Sequence, residues 1–451
     1  MANTAPPSAG SFLRSPGLKL FLVAGLTLLM TIPLVMIGLS LSERRDRADE
    51  AAHDIANGWS GPQTIAGLFL VVPYEGVEEI ARDNQRIQRK VRGSVVLLPD
   101  VLDIAADAKT EIRSRGIFAA PVYTAAVTLK ADFGIPDPSA VAGKDMQIRW
   151  DQAYAALAVG DPRGLTDNAT LSVAGRSVAF VPGAKLLGLA LATIQAPLGF
   201  AERPARLVLD TNFSIRGMDR LGFAPLGKDT AVRMRSLWPH PSFDGRFLPA
   251  SRRIGAGGFE ASWNVPYLAR GFEQAFVGGG DILPALDSLT FGVRFYQPVD
   301  FYQLVDRSLK HALLFIGLAF LAFFVVEQVT GARLHVAQYA LIGMAQALFY
   351  LLLLSFSEHV GFEAAYGIAA IATVALSSAY AIWSFGTARR AAVLLAVLLM
   401  IYGLLYVLLK LEDYALLVGS VALFAALAVV MYATRKIDWY RAAPLAMDKL
   451  G

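Results

Sequence analysis

Val336-Ala-Gln-Tyr-Ala-Leu-Ile-Gly-Met-Ala-Gln-Ala-Leu-Phe-Tyr-Leu-Leu-Leu-Leu-Ser-Phe-Ser357 runs for 22 residues without a charge. At 1.5 Å per residue, a hydrocarbon core of about 30 Å takes about 20 residues of helix, so this stretch can cross a bilayer. Charge-free runs also cover Leu20 to Ser42 (23 residues), His311 to Val326 (16), Ala364 to Ala388 (25), Ala391 to Leu409 (19) and Tyr414 to Thr434 (21). Six spans follow. The His311 run is short and borrows flanks from Leu309 to about Val329, with Lys310 snorkelling toward the headgroups. The first run exceeds the about 7–15 residues of a signal-peptide core and ends in Ser42-Glu-Arg-Arg45, which makes it an uncleaved anchor.

Composition agrees with this reading. Of 451 residues, 55% are hydrophobic and 17% charged, against roughly 45–50% and about 25% in a soluble domain. An ordinary soluble enzyme is excluded. The chain has no cysteine, which removes disulfides, thiolate metal sites and a cysteine nucleophile. With the N-terminus in the cytoplasm, Arg14, Lys19, Arg333, Arg389, Arg390, Arg435, Lys436, Arg441 and Lys449 lie inside and the short outer loops carry only Lys410. Nine against one obeys the positive-inside rule and predicts both termini inside and the long insertion outside. These cations are spread over four segments with no binding-sized patch, so no nucleic-acid partner is expected. The partners expected are the lipid bilayer and an unidentified envelope component.

The chain divides into a cytoplasmic N-terminus (1–19), an anchor (20–42), an extracytoplasmic domain (43–308), a five-helix bundle (309–434) and a cytoplasmic tail (435–451). Periodicity in the insertion is two. Leu102, Ile104, Ala106, Ala108, Thr110 and Ile112 alternate with Asp103, Asp107, Lys109 and Glu111. After Gly116 the pattern resumes as Tyr123, Ala125, Val127, Leu129, Ala131 and Phe133, predicting two long strands joined near Gly116. Further strands are predicted through Leu207 to Ile215, Phe259 to Val265 and Leu289 to Phe295. Such in/out alternation marks antiparallel sheets with one buried face. The fold class predicted is a polytopic α-helical membrane protein of six spans with a large inserted all-β, sandwich-like extracytoplasmic domain.

Ordered motifs run through most of the chain: Gln63-Thr-Ile-Ala-Gly67 with Val72-Pro-Tyr74, Arg115-Gly-Ile117 with Pro121-Val-Tyr123, Ser236-Leu-Trp-Pro-His-Pro-Ser-Phe-Asp-Gly245, and Gly292-Val-Arg-Phe-Tyr-Gln-Pro-Val-Asp-Phe-Tyr-Gln303. They continue as Arg307-Ser-Leu-Lys310, Phe323-Phe-Val-Val-Glu327, His335-Val-Ala-Gln338-Tyr339 and Ser355-Phe-Ser-Glu-His-Val-Gly361. In these residues the chain closely resembles the CreD family of bacterial inner-membrane proteins. One departure is Ala66-Gly-Leu68, where the family would have Gly-Pro. The resemblance implies a role in cell-envelope integrity under two-component control, with effects on colicin tolerance and β-lactam response. It implies no enzymatic activity.

Two polar clusters carry the remaining candidates. Glu327, Arg333, His335 and Gln338 lie on the cytoplasmic side, where ion pairs are expected to fix the turn between two spans. Arg307, Lys310, Ser357, Glu358 and His359 lie on the outer side, as a coupling of domain to bundle. Imidazole beside carboxylate is also what a zinc site or acid/base pair needs. However, His335 and His359 bracket one span, about 36 Å apart at 1.5 Å per residue, so no shared site can form. No catalytic residue, metal or cofactor is assigned. Pumps need ionisable groups within the membrane, and none sits in the middle of a span; Gln346, there, is expected to hydrogen-bond between helices. Gly419, Ala422, Ala425 and Ala426 are expected to pack the sixth span closely. In the insertion Trp238, His240, Phe243 and Asp244 form a candidate recognition loop, with a packed connector as the alternative. The leading function is a non-catalytic envelope-integrity protein. The alternatives are a membrane enzyme using Ser357, Glu358 and His359 on an envelope lipid or cell-wall precursor, and a channel or flippase-like carrier.

Overall fold

The computed structural model describes residues 16–82, 85–143, 146–183, 191–278, 288–295, 301–330, 334–385, 387–411 and 414–435. Arg14, Arg333, Lys436, Arg441 and Lys449 lie outside them. The chain separates into a helical unit, Met1–Arg47 with Val299–Gly451, and an inserted domain, Ala48–Pro298.

The long helices among the described residues are α1 (Pro16–Leu29), α2 (Thr31–Trp59), α3 (Phe301–Thr330), α4 (Val336–Val360), α5 (Phe362–Phe385), α6 (Ala388–Lys410) and α7 (Ala415–Thr434). Counting α1 and α2 as one interrupted rod, six are long and apolar enough to cross a membrane. The chain is a multi-pass membrane protein. The first span is broken at Met30 rather than straight. Pro33 has no N–H for the carbonyl one turn back, and Thr31 donates its hydroxyl to the Leu28 carbonyl at 2.7 Å, so the helical ladder is interrupted here. The second span starts earlier than its apolar run, because Phe301 to Lys310 form helix before the chain becomes charge-free.

Close packing of the sixth span is not what the structure has. Among its described residues α7 has none buried, and a Cβ on Gly419 would meet only Leu408 at 3.7 Å. Lipid tails are as apolar as leucine, so an entirely apolar helix gains little from protein cover and small residues alone do not bring a neighbour close.

The inserted domain is two sheets around one apolar core. The eight-stranded sheet runs Ser251–Gly255, Gly258–Pro266, Asp229–Ser236, Val101–Arg115, Phe118–Gly134, Arg206–Met218, Thr170–Val173, Arg176–Ala179. The hairpin about Gly116 pairs in register from Val101 with Asp132 to Arg115 with Phe118. Alternation selects the core: Leu102, Ile104, Ala106 and Ala108 are buried, as are Leu207, Leu209, Phe213 and Ile215, and Phe259, Ala261, Trp263 and Val265. The alternation stops burying side chains near the hairpin tip, where Ile112 is 55% exposed. Leu289 also departs from its predicted strand. It sits in a short helical turn, and the strand begins at Phe291.

The ten-stranded sheet runs Pro241–Gly245, Phe291–Phe295, Arg220–Phe223, Gln63–Arg82, Tyr154–Val159, Ala192–Pro197, Val181–Pro182, with Gln85–Leu97, Met146–Ile148 and Ala275–Val277 joined off this path. Two pairings are parallel, Gln63–Ile65 with Leu221–Phe223 and Asp229–Ser236 with Val101–Ala108, since the chain crosses between sheets there instead of turning back in a hairpin. Gly67 allows a bulge in the longest strand: its φ is +149°, and a Cβ would meet Leu157 Cδ1 at 2.9 Å and the Ala156 carbonyl at 3.2 Å. At Ala66-Gly-Leu68, where the sequence departs from the family pattern, the chain makes this bulge. Across the core, the Tyr123 hydroxyl donates to the Arg220 carbonyl at 2.7 Å, and burial pushes its pKa up. Gln63 is buried with every amide group used, donating to Ser60, Asp161 and Arg216 and accepting from the Asp161 N–H at 3.0 Å. Trp59, ending α2, lies between the guanidinium groups of Arg113 at 3.8 Å and Arg216 at 4.4 Å, which fastens the helix end to the sheet.

Candidate functional site

Helix α4 carries a polar cluster at each end and an amide at its centre. At its start His335 is the N-cap: its Nδ1 accepts from the Ala337 N–H at 3.2 Å, while the Gln338 side chain accepts from the His335 N–H at 2.7 Å. This reciprocal capping box satisfies two orphan donors of the first turn and gives the imidazole a capping role. Glu327 is buried at the end of α3. Its carboxylate takes the Lys19 ammonium of α1, the Tyr339 hydroxyl at 2.8 Å and the Leu334 N–H at 3.2 Å. Lys19 also donates to the Leu334 carbonyl at 2.6 Å. The ion pair expected among neighbours in sequence is thus made across more than three hundred residues with Lys19. Lys19 and Tyr339 were not singled out as site residues. The cue available is that a carboxylate in apolar surroundings requires a cation, and Lys19 opens the first span.

At the far end Ser357, Glu358 and His359 diverge. Helical geometry spaces neighbours about 100° apart, so Ser357 turns inward and is buried, whereas His359 is exposed. The Ser357 hydroxyl has no hydrogen-bond partner among the described residues. Glu358 accepts from the Tyr302 hydroxyl at 3.2 Å and pairs with Arg44 at 3.4 Å. Lys310 pairs with Asp306 one turn back at 2.8 Å, and Glu363 pairs with Lys410. Arg307 is half-buried on α3. No nucleophile, base and orienting group come together here in the mutual contact a hydrolytic triad needs. Among the described residues no three His, Asp or Glu side chains are grouped to hold a metal.

At the centre, the Gln346 amide donates to Ser377 of α5 at 3.2 Å and accepts from the Tyr402 hydroxyl of α6. Tyr366 of α5 donates to the Tyr402 carbonyl at 2.6 Å. Phe349 sits among the rings of Tyr350, Tyr366 and Tyr402 at 4.7–5.4 Å. The Tyr366 and Tyr402 hydroxyls are spent on interhelical bonds, so this is a packed polar seam between three helices.

In the inserted domain, the segment singled out as a recognition loop is mostly strand. Phe243 packs edge-on against Phe259 and Trp263, both at 5.9 Å. Asp244 accepts from the Arg220 guanidinium at 2.9 Å and lies 3.9 Å from Arg294. Trp238 is half-buried against the core; His240 is exposed. Three of the four side chains are therefore engaged by the domain itself, Trp238 and Phe243 against its core and Asp244 with Arg220. Beside them burial holds the Asp219 carboxyl above its usual range, with Arg294 3.8 Å away pulling the other way. Arg270 is buried, donates to the Leu226 carbonyl at 2.8 Å, and burial pushes its pKa down to about 10. It remains charged at neutral pH and serves as an internal brace.

Comparison with known proteins completes these observations. The sequence profile of the family described as "Inner membrane protein CreD" matches residues 15–440. Inner membrane protein CreD of Escherichia coli (strain K12) is 33% identical over 427 residues, which cover 94% of this chain and 93% of that protein.

Proposed function

The chain belongs to the CreD family of inner membrane proteins, and on that premise we propose that it maintains cell-envelope integrity without catalysis, its inserted domain facing the periplasm and binding or stabilising an envelope component. The six-helix unit serves as its platform. The observation that carries the non-catalytic reading is the divergence of Ser357, Glu358 and His359: one side chain is buried, one is bound to Tyr302 and Arg44, and one is exposed. The orientation rests on the nine-to-one bias of basic residues in the short loops. The colicin and β-lactam phenotypes expected from the family belong to this proposal as consequences of an envelope left unsupported.

Topology is the direct test. A reporter active only outside the cytoplasm should work when fused near Val360 and fail after Arg390 or at the C-terminus. The reverse pattern sinks the orientation. For the function, cells lacking the protein should regain envelope resistance when supplied with the Glu358→Ala, His359→Ala chain at normal abundance. Full loss of protection at unchanged abundance and folding would favour an enzyme instead, because catalytic groups contribute little to stability.

A further inference from the structure

Among the described residues the strand Ser251–Gly255 is an edge of the eight-stranded sheet, paired on one side only, with Gly258–Pro266. An edge strand presents a row of main-chain N–H and C=O groups able to accept another strand. All five residues are exposed. Arg252 and Arg253 project to opposite faces; Arg253 pairs with Glu260 at 2.9 Å yet stays 88% exposed, and Arg252 rests over the Phe243 ring at 5.9 Å. Ile254, next along, is 50% exposed and Leu237 beside it 77%. Two adjoining grooves of about 690 and 580 Å³ run from the strand across the face of the sheet as far as Thr128, and in their lining Arg233, Arg235, Arg252, Arg253 and Lys109 outnumber Asp107 and Glu260.

We propose that this edge docks an extended acidic polypeptide segment, which joins the sheet as a further strand with carboxylates against Arg252 and Arg253 and an apolar residue against Ile254. Main-chain pairing supplies affinity in such strand addition, and alternate side chains supply selectivity. Charge selects the occupant. Two copies of this chain meeting through the same edge would set these arginines against their own equivalents, which is repulsive. A glycan would lack a platform, since the one ring in the groove lining, Phe259, is buried. The other edges among the described strands are less suited: Val181–Pro182 and Pro241–Gly245 carry proline, which cannot donate to a ladder, and Arg176–Ala179, Met146–Ile148 and Ala275–Val277 are only four, three and three residues long. The inference names the surface behind the binding role proposed above and rests on that reading.

The test uses the purified full chain in detergent micelles and a fluorescent peptide of about eight residues, an ordinary strand length, built on a repeated Glu-Glu-Val triplet so that carboxylates can meet both arginines and a valine can meet Ile254. Binding should weaken with salt and protect the amides of 251–255 from hydrogen exchange. The R252E/R253E chain should bind it about tenfold or more less tightly and should instead take the lysine–valine counterpart. Equal binding of both peptides by the unaltered chain, no binding at millimolar peptide, or protection only at another edge would overturn the proposal. The exchange map on the unaltered chain decides even if the double variant misfolds. Reporters that place the domain in the cytoplasm would overturn the envelope role and leave this binding result standing.

Discussion

Glu327 shows what one buried charge demands. Taking a carboxylate out of water costs several kcal/mol unless a cation and donors surround it. Lys19, Tyr339 and the Leu334 N–H do so, tying α1, α3 and α4 together at one end. Lys19→Met is therefore expected to destabilise the protein by about 3–5 kcal/mol, because it leaves the carboxylate buried and unpaired. The double change Lys19→Met, Glu327→Leu should recover most of that loss. Unfolding midpoints in mixed micelles measure both, and a double variant as weak as the single one contradicts this account. Glu327 was visible in the sequence at the end of an apolar run, with Arg333 the nearest cation along the chain. Its partner was not, because 308 residues separate the two and only packing brings them together.

At the scale of the element, small residues on two helices behave oppositely. Gly343 of α4 is in close contact: a Cβ there would press on the Phe320 ring and meet the Met30 sulfur at 2.8 Å. Gly419 of α7 faces open space apart from Leu408. Gly343→Leu should then cost about 1–3 kcal/mol through overpacking, whereas Gly419→Leu should change stability by no more than about 0.5 kcal/mol. Thermal unfolding of the two variants side by side checks this. A large loss at Gly419 would show that α7 has a tight neighbour. Both glycines look alike in sequence, each in an apolar run with alanines at helical spacing. Hydropathy reports that a helix can enter lipid and leaves unstated which of its faces meets protein.

For the whole molecule, the inserted domain closes its own core. Tyr123 hydrogen-bonds across it, Trp263 lies 5.7 Å from Phe291 of the facing sheet, and Trp59 is held between two arginines of the same unit. Residues 48–298 should accordingly be soluble when expressed alone and give a circular-dichroism spectrum dominated by β-structure, the helix being confined to the 48–59 end and short turns. A mainly helical spectrum or a chain that never folds contradicts the separation of the two units.

The spans, the large insertion and the strands of period two were legible directly in the residue pattern, because each reports a local balance between water and an apolar phase: charge-free runs long enough for lipid, and alternation that buries one face of a strand. Leu102 to Ala108 and Phe259 to Val265 carry that signal and are buried as the alternation dictates. Contacts between distant segments were settled by the folded arrangement alone. Glu327 meets Lys19, Glu358 meets Arg44 and Tyr302, Phe243 and Asp244 turn into the domain, and Ser251–Gly255 is left as an edge. Each depends on which strand or helix lies alongside, and periodicity carries no information about neighbours, since any element with the right apolar face satisfies the same pattern.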